Sequence, residues 1–122
     1  MENEAALQAL GALAHSSRLD AFRLLVRQEP DGLPAGEVAR RLGVPQNTLS
    51  THLAILARSG LLHATRQSRL VIYRADLAVL RALVLFLVKD CCAGRADLCA
   101  PLITELMPCC PAERVSSERV SP

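Results

Sequence analysis

The sequence predicts a mainly α-helical domain that carries one small β-hairpin, and three observations lead to this prediction. In residues 46–62, leucines recur at positions i, i+4 and i+7, which places them on one face of a helix. Beyond Gly60 the apolar spacing changes to a period of two, which is typical of strands. From Leu77 onward a helical spacing returns and continues to Cys92.

Composition limits the class of protein. The chain of 122 residues is long enough for one domain, and it is 51% hydrophobic but only 2% aromatic, so its core must be aliphatic. So few aromatic rings leave no stacking platform for single-stranded nucleic acid. The N-terminus lacks a secretory pattern, and the longest apolar run, residues 83–88, is far too short to span a membrane. We therefore expect a cytoplasmic protein with no membrane association.

The first half of the chain divides into four helices. A first helix over residues 3–14 is indicated by Leu7, Leu10, Leu13 and Ala14. Ser16 or Ser17 is expected to cap a second helix that runs to about Gln28. A third helix follows Pro34 and ends at Gly43, and the helix of residues 46–58 begins after Pro45. Two helices joined by so short a glycine turn predict a helix-turn-helix.

The segment after Gly60 predicts a β-hairpin. Leu62, Ala64, Val71 and Tyr73 alternate with polar or exposed positions, and the two strands join near residues 67–69. A hairpin that follows a helix-turn-helix is a wing. Its basic tip, Arg66 and Arg69, is suited to lie on phosphates or in the minor groove.

The last helix predicts a dimer. Asp76 is a good N-cap, and the apolar surface beyond it is wide enough to need burial on two sides. One side can pack on its own domain, and a second copy of the chain best explains the other. The predicted dimer contacts are Leu80, Val84 and Leu87. We predict a DNA-binding and dimerisation domain over residues 1–92 and a partly disordered, cysteine-containing tail over residues 93–122.

The helix of residues 46–58 is a candidate for reading duplex DNA. Its buried stripe consists of Leu49, Leu53 and Leu56. The opposite face holds the short or uncharged residues Gln46, Asn47, Ser50, Thr51 and Ala54. Such side chains fit a major groove, where Gln and Asn can bond adenine edges. Residues 38–75 contain six arginines and no acid, which predicts a surface that attracts backbone phosphates.

At this point the chain resembles the ArsR/SmtB family of winged-helix repressors over about residues 5–92. The stretches that carry the resemblance are LAHSSRL (13–19), GEVA (36–39), LSTHL with Leu56, SGLL (59–62) and VIY (71–73). It implies a homodimer that binds operator DNA when ligand-free and releases it when a metal or metalloid binds. It also places Gln46, Asn47, Ser50, Thr51 and His52 at the groove and phosphates, with Arg66 and Arg69 on the wing. Family wings usually carry Gly where this chain has Ser68.

The cysteines suggest the signal. Two family sites are missing, since residues 33–45 hold no cysteine and residues 77–92 no histidine. The five cysteines are Cys91, Cys92, Cys99, Cys109 and Cys110. Sulfur without nearby imidazole selects a soft ion, and trivalent arsenic or antimony prefers three thiolates. Cys91, Cys92 and Cys99 form the natural trio, and a subgroup of arsenical repressors looks similar here. Alternatively, Cys91 is simply a small apolar residue of the dimer seam. Cys109 and Cys110 are either idle or a second site.

These observations predict an arsenite-responsive repressor, with As(III), Sb(III) or methylarsenite as the inducer and no catalytic cofactor. One alternative keeps the fold and changes the signal to cadmium, lead, zinc, thiol oxidation or a persulfide. Another is a thiol-dependent reductase. That needs a thiolate stabilised at a helix N-terminus or by a cation, whereas Cys91 and Cys92 follow Asp90 at the end of a helix. We therefore predict that the protein is not an enzyme.

Overall fold

The structure, a computed structural model, describes residues 1–90 together with Pro101 and Glu105. Contacts divide the chain into two compact units, Met1–Val84 and Leu85–Pro122. The helices are α1 (Asn3–Leu13), α2 (Ser16–Arg27), α3 (Ala35–Leu42), α4 (Gln46–Arg58) and α5 (Leu77–Leu85). The strands are β1 (Leu33–Pro34), β2 (Leu62–Gln67) and β3 (Leu70–Ala75). The predicted fold class, mainly helical with a small hairpin after a helix-turn-helix, is confirmed.

The first two helices differ from the prediction in detail. The leucines that indicated α1 do not form its buried face: Leu7 is 60% and Leu10 37% exposed. The helix packs through three alanines instead, Ala6, Ala9 and Ala12. The N-cap of α2 is His15, whose Nδ1 accepts a hydrogen bond from the Ser17 amide at 3.1 Å, so the predicted serine cap is wrong. The reason is that His15 has the extended backbone of an N-cap, and its ring nitrogen accepts the bond that a serine hydroxyl would otherwise accept.

The helix-turn-helix forms as predicted. α3 ends at Gly43, whose φ of 70° is left-handed and whose amide donates to the Ala39 carbonyl. α4 then begins after Pro45, and its predicted stripe of Leu49, Leu53 and Leu56 is completely buried. Burying a leucine contributes roughly 1.5–3 kcal/mol, so this stripe fixes the rotation of α4 on the other helices.

The sheet has one strand more than the sequence predicted. Its order is β1-β3-β2, with antiparallel pairing throughout. β1 has only two residues, too few for an alternating pattern to reveal. The residue before it, Gly32, has a φ of 72°, and a Cβ there would lie 2.5 Å from the Tyr73 carbonyl oxygen. Only glycine therefore allows the chain to approach β3 this closely.

The alternating pattern located the hairpin strands but not their buried face. Among the side chains of β2, only that of Leu62 is buried, because the hairpin extends away from the core. On β3 the buried residues are Ile72 and Ala75, while Tyr73 is half-buried. The wing is therefore anchored at its base and exposed towards its tip.

Helix α5 begins where it was predicted. Asp76 Oδ1 accepts hydrogen bonds from the amides of Ala78 at 3.1 Å and Val79 at 3.2 Å, which confirms the predicted N-cap. α5 is followed by a π-helical segment, Phe86–Asp90. Within the described part of the chain, no helix is long and apolar enough to span a membrane.

Candidate nucleic-acid interface

The exposed front of α4 carries the polar side chains that the sequence predicted for it. Gln46, Asn47 and Thr51 are exposed and Ser50 is half-buried. Thr51 Oγ1 lies 3.4 Å from the Asn47 carbonyl oxygen, and Asn47 Oδ1 accepts the Thr48 amide at 2.9 Å. The Asn47 amide nitrogen and the Ser50 hydroxyl have no partner among residues 1–90, so this face can donate hydrogen bonds to another molecule.

His52 occupies a different side of α4. Its Nδ1 lies 3.4 Å from Arg18 Nη1, and its ring centroid is 4.5 Å from that of His15. Arg18 is itself held by a bond from its Nε to the Ala12 carbonyl at 2.6 Å. Burial first, and then the charges of His15 and Arg18, lower the pKa of His52 below its ordinary value of 6.5. His52 therefore joins α4 to the α1–α2 junction. Asn47 and Thr51, in contrast, lie on the open front of α4.

The wing ends in a two-residue loop, Ser68 and Arg69, closed by the pair of Gln67 and Leu70. Ser68 has a φ of 57°, and it is the only residue besides glycine with a positive φ among those described. A positive φ at the first central residue alone is the pattern of a type II′ turn, which favours glycine there. Ser68 therefore occupies a turn position that favours glycine, and the tip presents Arg69 to solvent.

Fewer arginines of residues 38–75 are available to bind phosphates than the sequence predicted. Arg40 and Arg41 both bind Glu37, and their hydrogen bonds lower the pKa of that carboxyl from 4.5 to about 2. Arg74 pairs with Glu29 at 2.8 Å. These acids lie just outside the acid-free stretch in sequence but fold back onto it. The arginines of the stretch without an ion pair in the described structure are Arg58, Arg66 and Arg69. Two of these three belong to the wing.

The structure describes only some of the remaining predicted site residues. Of the predicted dimer contacts, Leu80 is half-buried, whereas Val84 and Leu87 are each 40% exposed. Cys91, Cys92, Cys99, Cys109 and Cys110 lie outside the described residues. Among the residues that are described, no three His, Cys, Asp or Glu side chains gather into a possible metal site.

Comparison with known proteins decides the family. A helix-turn-helix domain model matches residues 13–64, from the end of α1 to the first residues of β2. The transcriptional activator HlyU of Vibrio cholerae is 32% identical over 87 residues, which cover 71% of this chain and 78% of HlyU. The chain belongs to the ArsR family of winged helix-turn-helix transcriptional regulators.

Solved structures of ArsR-family relatives agree with this. Reduced HlyU superimposes with a TM-score of 0.56 at 31% identity, covering 68% of this chain and 85% of HlyU. The homodimeric DNA-binding domain Mb0332 of Mycobacterium bovis gives 0.59 at 26% identity, covering 71% and 79%. The repressor BigR of Xylella fastidiosa gives 0.53 at 26%, covering 67% and 83%.

Family membership settles the coarse function. The protein is a DNA-binding transcriptional regulator and not an enzyme, as the sequence predicted. A homodimer is typical of the family. HlyU is named as an activator and BigR as a repressor, so membership alone does not give the direction of regulation.

Proposed function

We propose that this ArsR-family regulator binds operator DNA as a homodimer and represses transcription. In this proposal the front of α4 enters the major groove and the wing tip contacts the backbone of each half-site. The observation that carries it is the orientation of α4, whose three leucines are fully buried and whose small polar side chains face outwards. Arg66 and Arg69, which form no ion pair with any described residue, supply the charge that phosphates require.

The DNA contacts are tested by salt dependence and by sequence preference, measured on a duplex selected from a random pool. Each phosphate contact contributes about 0.9 to the slope of log K against log salt, so Arg69→Ala should reduce the slope of a dimer by roughly 2. Ser50→Ala should instead change the relative affinities for duplexes with single base substitutions. Arg23→Ala removes an exposed charge on α2 and serves as the matched control. Unchanged binding in both test variants refutes the assignment.

The dimer is supported by apolar side chains that stay exposed in one subunit. Leu7 and Leu10 on α1 and Leu77 and Val84 on α5 are all more than a third exposed. Covering them with a second copy would remove their apolar area from water, which stabilises a dimer by about 25 cal/mol per Å². We propose that Leu80 and Val84 of α5 and Leu87 of the following π-helical segment form this interface and that α1 extends it.

Val84→Asp tests the interface without disturbing the core of the subunit, because Val84 is 40% exposed in the single chain. In the dimer the new carboxylate would be buried without a partner, at a cost of several kcal/mol. Sedimentation at micromolar concentration should show a monomer with weakened operator binding. Ala78→Asp adds the same charge to an exposed position of α5 near the Asp76 cap, and it should remain dimeric. A dimeric Val84→Asp protein would place the interface elsewhere.

We propose that the signal acts on the thiols of Cys91, Cys92 and Cys99. HlyU, a relative at 32% identity, has a solved structure in its reduced form, which favours thiol oxidation as the signal. The adjacent Cys91 and Cys92 with Cys99, and no imidazole among them, favour trivalent arsenic or antimony as the second candidate. Either signal releases DNA only if it favours the non-binding state, and a coupling of about 1–3 kcal/mol corresponds to a 5–150-fold loss of affinity.

One experiment separates the two signals. Operator binding is measured with arsenite in the presence of a phosphine reductant, and separately with diamide followed by that reductant. An arsenite response in the reducing medium identifies a metalloid sensor, whereas a diamide response that the reductant reverses identifies a redox sensor. Cys91→Ser and Cys92→Ser should abolish either response while leaving basal binding intact. A response lost only in the double variant Cys109→Ser/Cys110→Ser would move the site to the tail.

A further inference from the structure

A groove of about 420 Å³ separates the wing from the helix-turn-helix. One wall is formed by the wing residues Arg69 and Tyr73, and the other by Gly36 at the start of α3 and Gln46 at the start of α4. The pairing of Leu33 with Tyr73 joins the two walls at their base. The groove is therefore built into the fold, because the strand that forms the wing is hydrogen-bonded to the segment that leads into α3.

Gln46 is turned towards this groove. Its Oε1 lies 3.2 Å, its Cδ 3.6 Å and its Nε2 3.8 Å from the position that a Cβ on Gly36 would occupy. The terminal amide thus rests on the first turn of α3, whereas Asn47 and Thr51 project from the open front of α4. This position beside α3 lies apart from the open front of α4, and the amide nitrogen can donate a hydrogen bond into the groove.

The groups that line the groove are suited to an anion. Arg69 forms no ion pair within the described part of the chain, and the Tyr73 hydroxyl has no hydrogen-bond partner there. Glu37, the nearest acid in sequence to Gly36, is bound by Arg40 and Arg41. The residues that line the groove thus include a guanidinium, an amide and a phenol, which can all donate to phosphate oxygens.

We propose that this groove holds one backbone phosphate of the operator in each half-site, bound jointly by Arg69 and Gln46. The proposal rests on the proposed function, since it requires that this face bind duplex DNA. It assigns Gln46 to affinity and register, and it leaves base reading to Asn47, Ser50 and Thr51. Phosphate contacts of this kind position a protein on DNA without reading its sequence.

The test uses the full-length protein and operator duplexes that carry a single neutral methylphosphonate at each backbone position in turn. The wild type should lose roughly tenfold in affinity at one position in each half-site. Gln46→Ala and Arg69→Ala should each bind the unmodified operator more weakly, and that methylphosphonate should weaken each variant by a smaller factor than it weakens the wild type. Relative affinities for duplexes with single base substitutions should be unchanged in Gln46→Ala.

Gly36→Ala provides an independent probe. The added Cβ would meet Gln46 Oε1 at 3.2 Å, so the amide must shift by a few tenths of an ångström, while a helical position with no positive φ accepts alanine well. Gly36→Ala should therefore weaken operator binding of the wild type less than Gln46→Ala does, and it should have no effect in Gln46→Ala. Thr48→Ala, on the same turn of α4 but outside the groove, is the control and should leave the methylphosphonate profile unchanged.

Two outcomes overturn the inference and are distinguishable from a failure of the proposed function. If the wild type binds the operator but Gln46→Ala changes base preference, Gln46 reads bases and the inference is wrong. If Gln46→Ala and Arg69→Ala respond to different methylphosphonates, the two residues do not share a phosphate. A wild type that binds no selected duplex would overturn the proposed function, and the inference with it.

Discussion

Replacing Ser68 by glycine should stabilise the protein, because Ser68 occupies the turn position that demands a positive φ. A left-handed conformation costs a residue with a Cβ roughly 1–2 kcal/mol, and glycine avoids that cost. Glycine loses about 0.5–1 kcal/mol more than other residues in conformational entropy on folding. The difference between the strain that glycine avoids and the entropy that it costs predicts that Ser68→Gly raises the free energy of unfolding by about 0.5–1 kcal/mol. For a domain of this size that gain corresponds to a rise in Tm of roughly 2–5 °C.

The assay is thermal unfolding followed by circular dichroism, with Ser68→Ala as the matched control. Alanine keeps the Cβ and therefore the strain, and the Ser68 hydroxyl forms no hydrogen bond among the described residues, so the Tm of Ser68→Ala should stay near that of the wild type. The hairpin should unfold with the core, since β3 pairs with β1 and buries Ile72. A glycine variant that is less stable than the wild type, or an alanine variant that gains as much, would refute the reasoning.

Three further predictions concern stability. Gly32→Ala should lower the free energy of unfolding in urea by about 3 kcal/mol or more, since its Cβ would overlap a backbone carbonyl of β3 at a positive φ. In Gly11→Ala the added Cβ meets no described atom within 4 Å, so this variant should not be destabilised. The hydrogen bond from Arg74 lowers the pKa of Glu29. The wild type should therefore be more stable than Glu29→Gln by roughly 0.5–1 kcal/mol above pH 4.5, and this difference should disappear in acid. Because the pKa of His52 is below 6.5, the free energy of unfolding should fall as the pH drops below 6.5. The stability of His52→Gln should depend less on pH. An equally steep pH profile in that variant would contradict the lowered pKa of His52.

Features that depend on neighbouring residues were predictable from the sequence. The buried stripe of α4, the end of α3 at Gly43 and the cap at Asp76 all follow from local rules of helix periodicity and termination. The same rules failed at α1, where leucines and alanines share the helical spacing. Only the packing shows that Ala9 faces inwards and Leu7 outwards. The exposed leucines then became evidence for the proposed dimer.

Features that depend on residues distant in sequence were not predictable. The contact between Arg18 and His52 spans 34 positions, and the pair of Glu29 and Arg74 spans 45. For this reason the acid-free stretch overstated the available positive charge, which the structure limits mainly to the wing. The proximity of the Gln46 side chain to Gly36 was hidden for the same reason, because a glycine in a helix gives no sign of what it approaches. The cysteine site and the dimer contacts remain predictions.

Amide hydrogen exchange of the wild-type protein, with and without its selected duplex, tests the central claim most directly. The claim is that the first two turns of α4 and the tip of the wing form the DNA interface. Peptides covering residues 46–51 and 66–70 should exchange more slowly in the complex, since their backbone becomes shielded from water, while residues 20–27 of α2 should be unaffected. Slower exchange elsewhere in the chain, with residues 46–51 and 66–70 unchanged, would contradict the account.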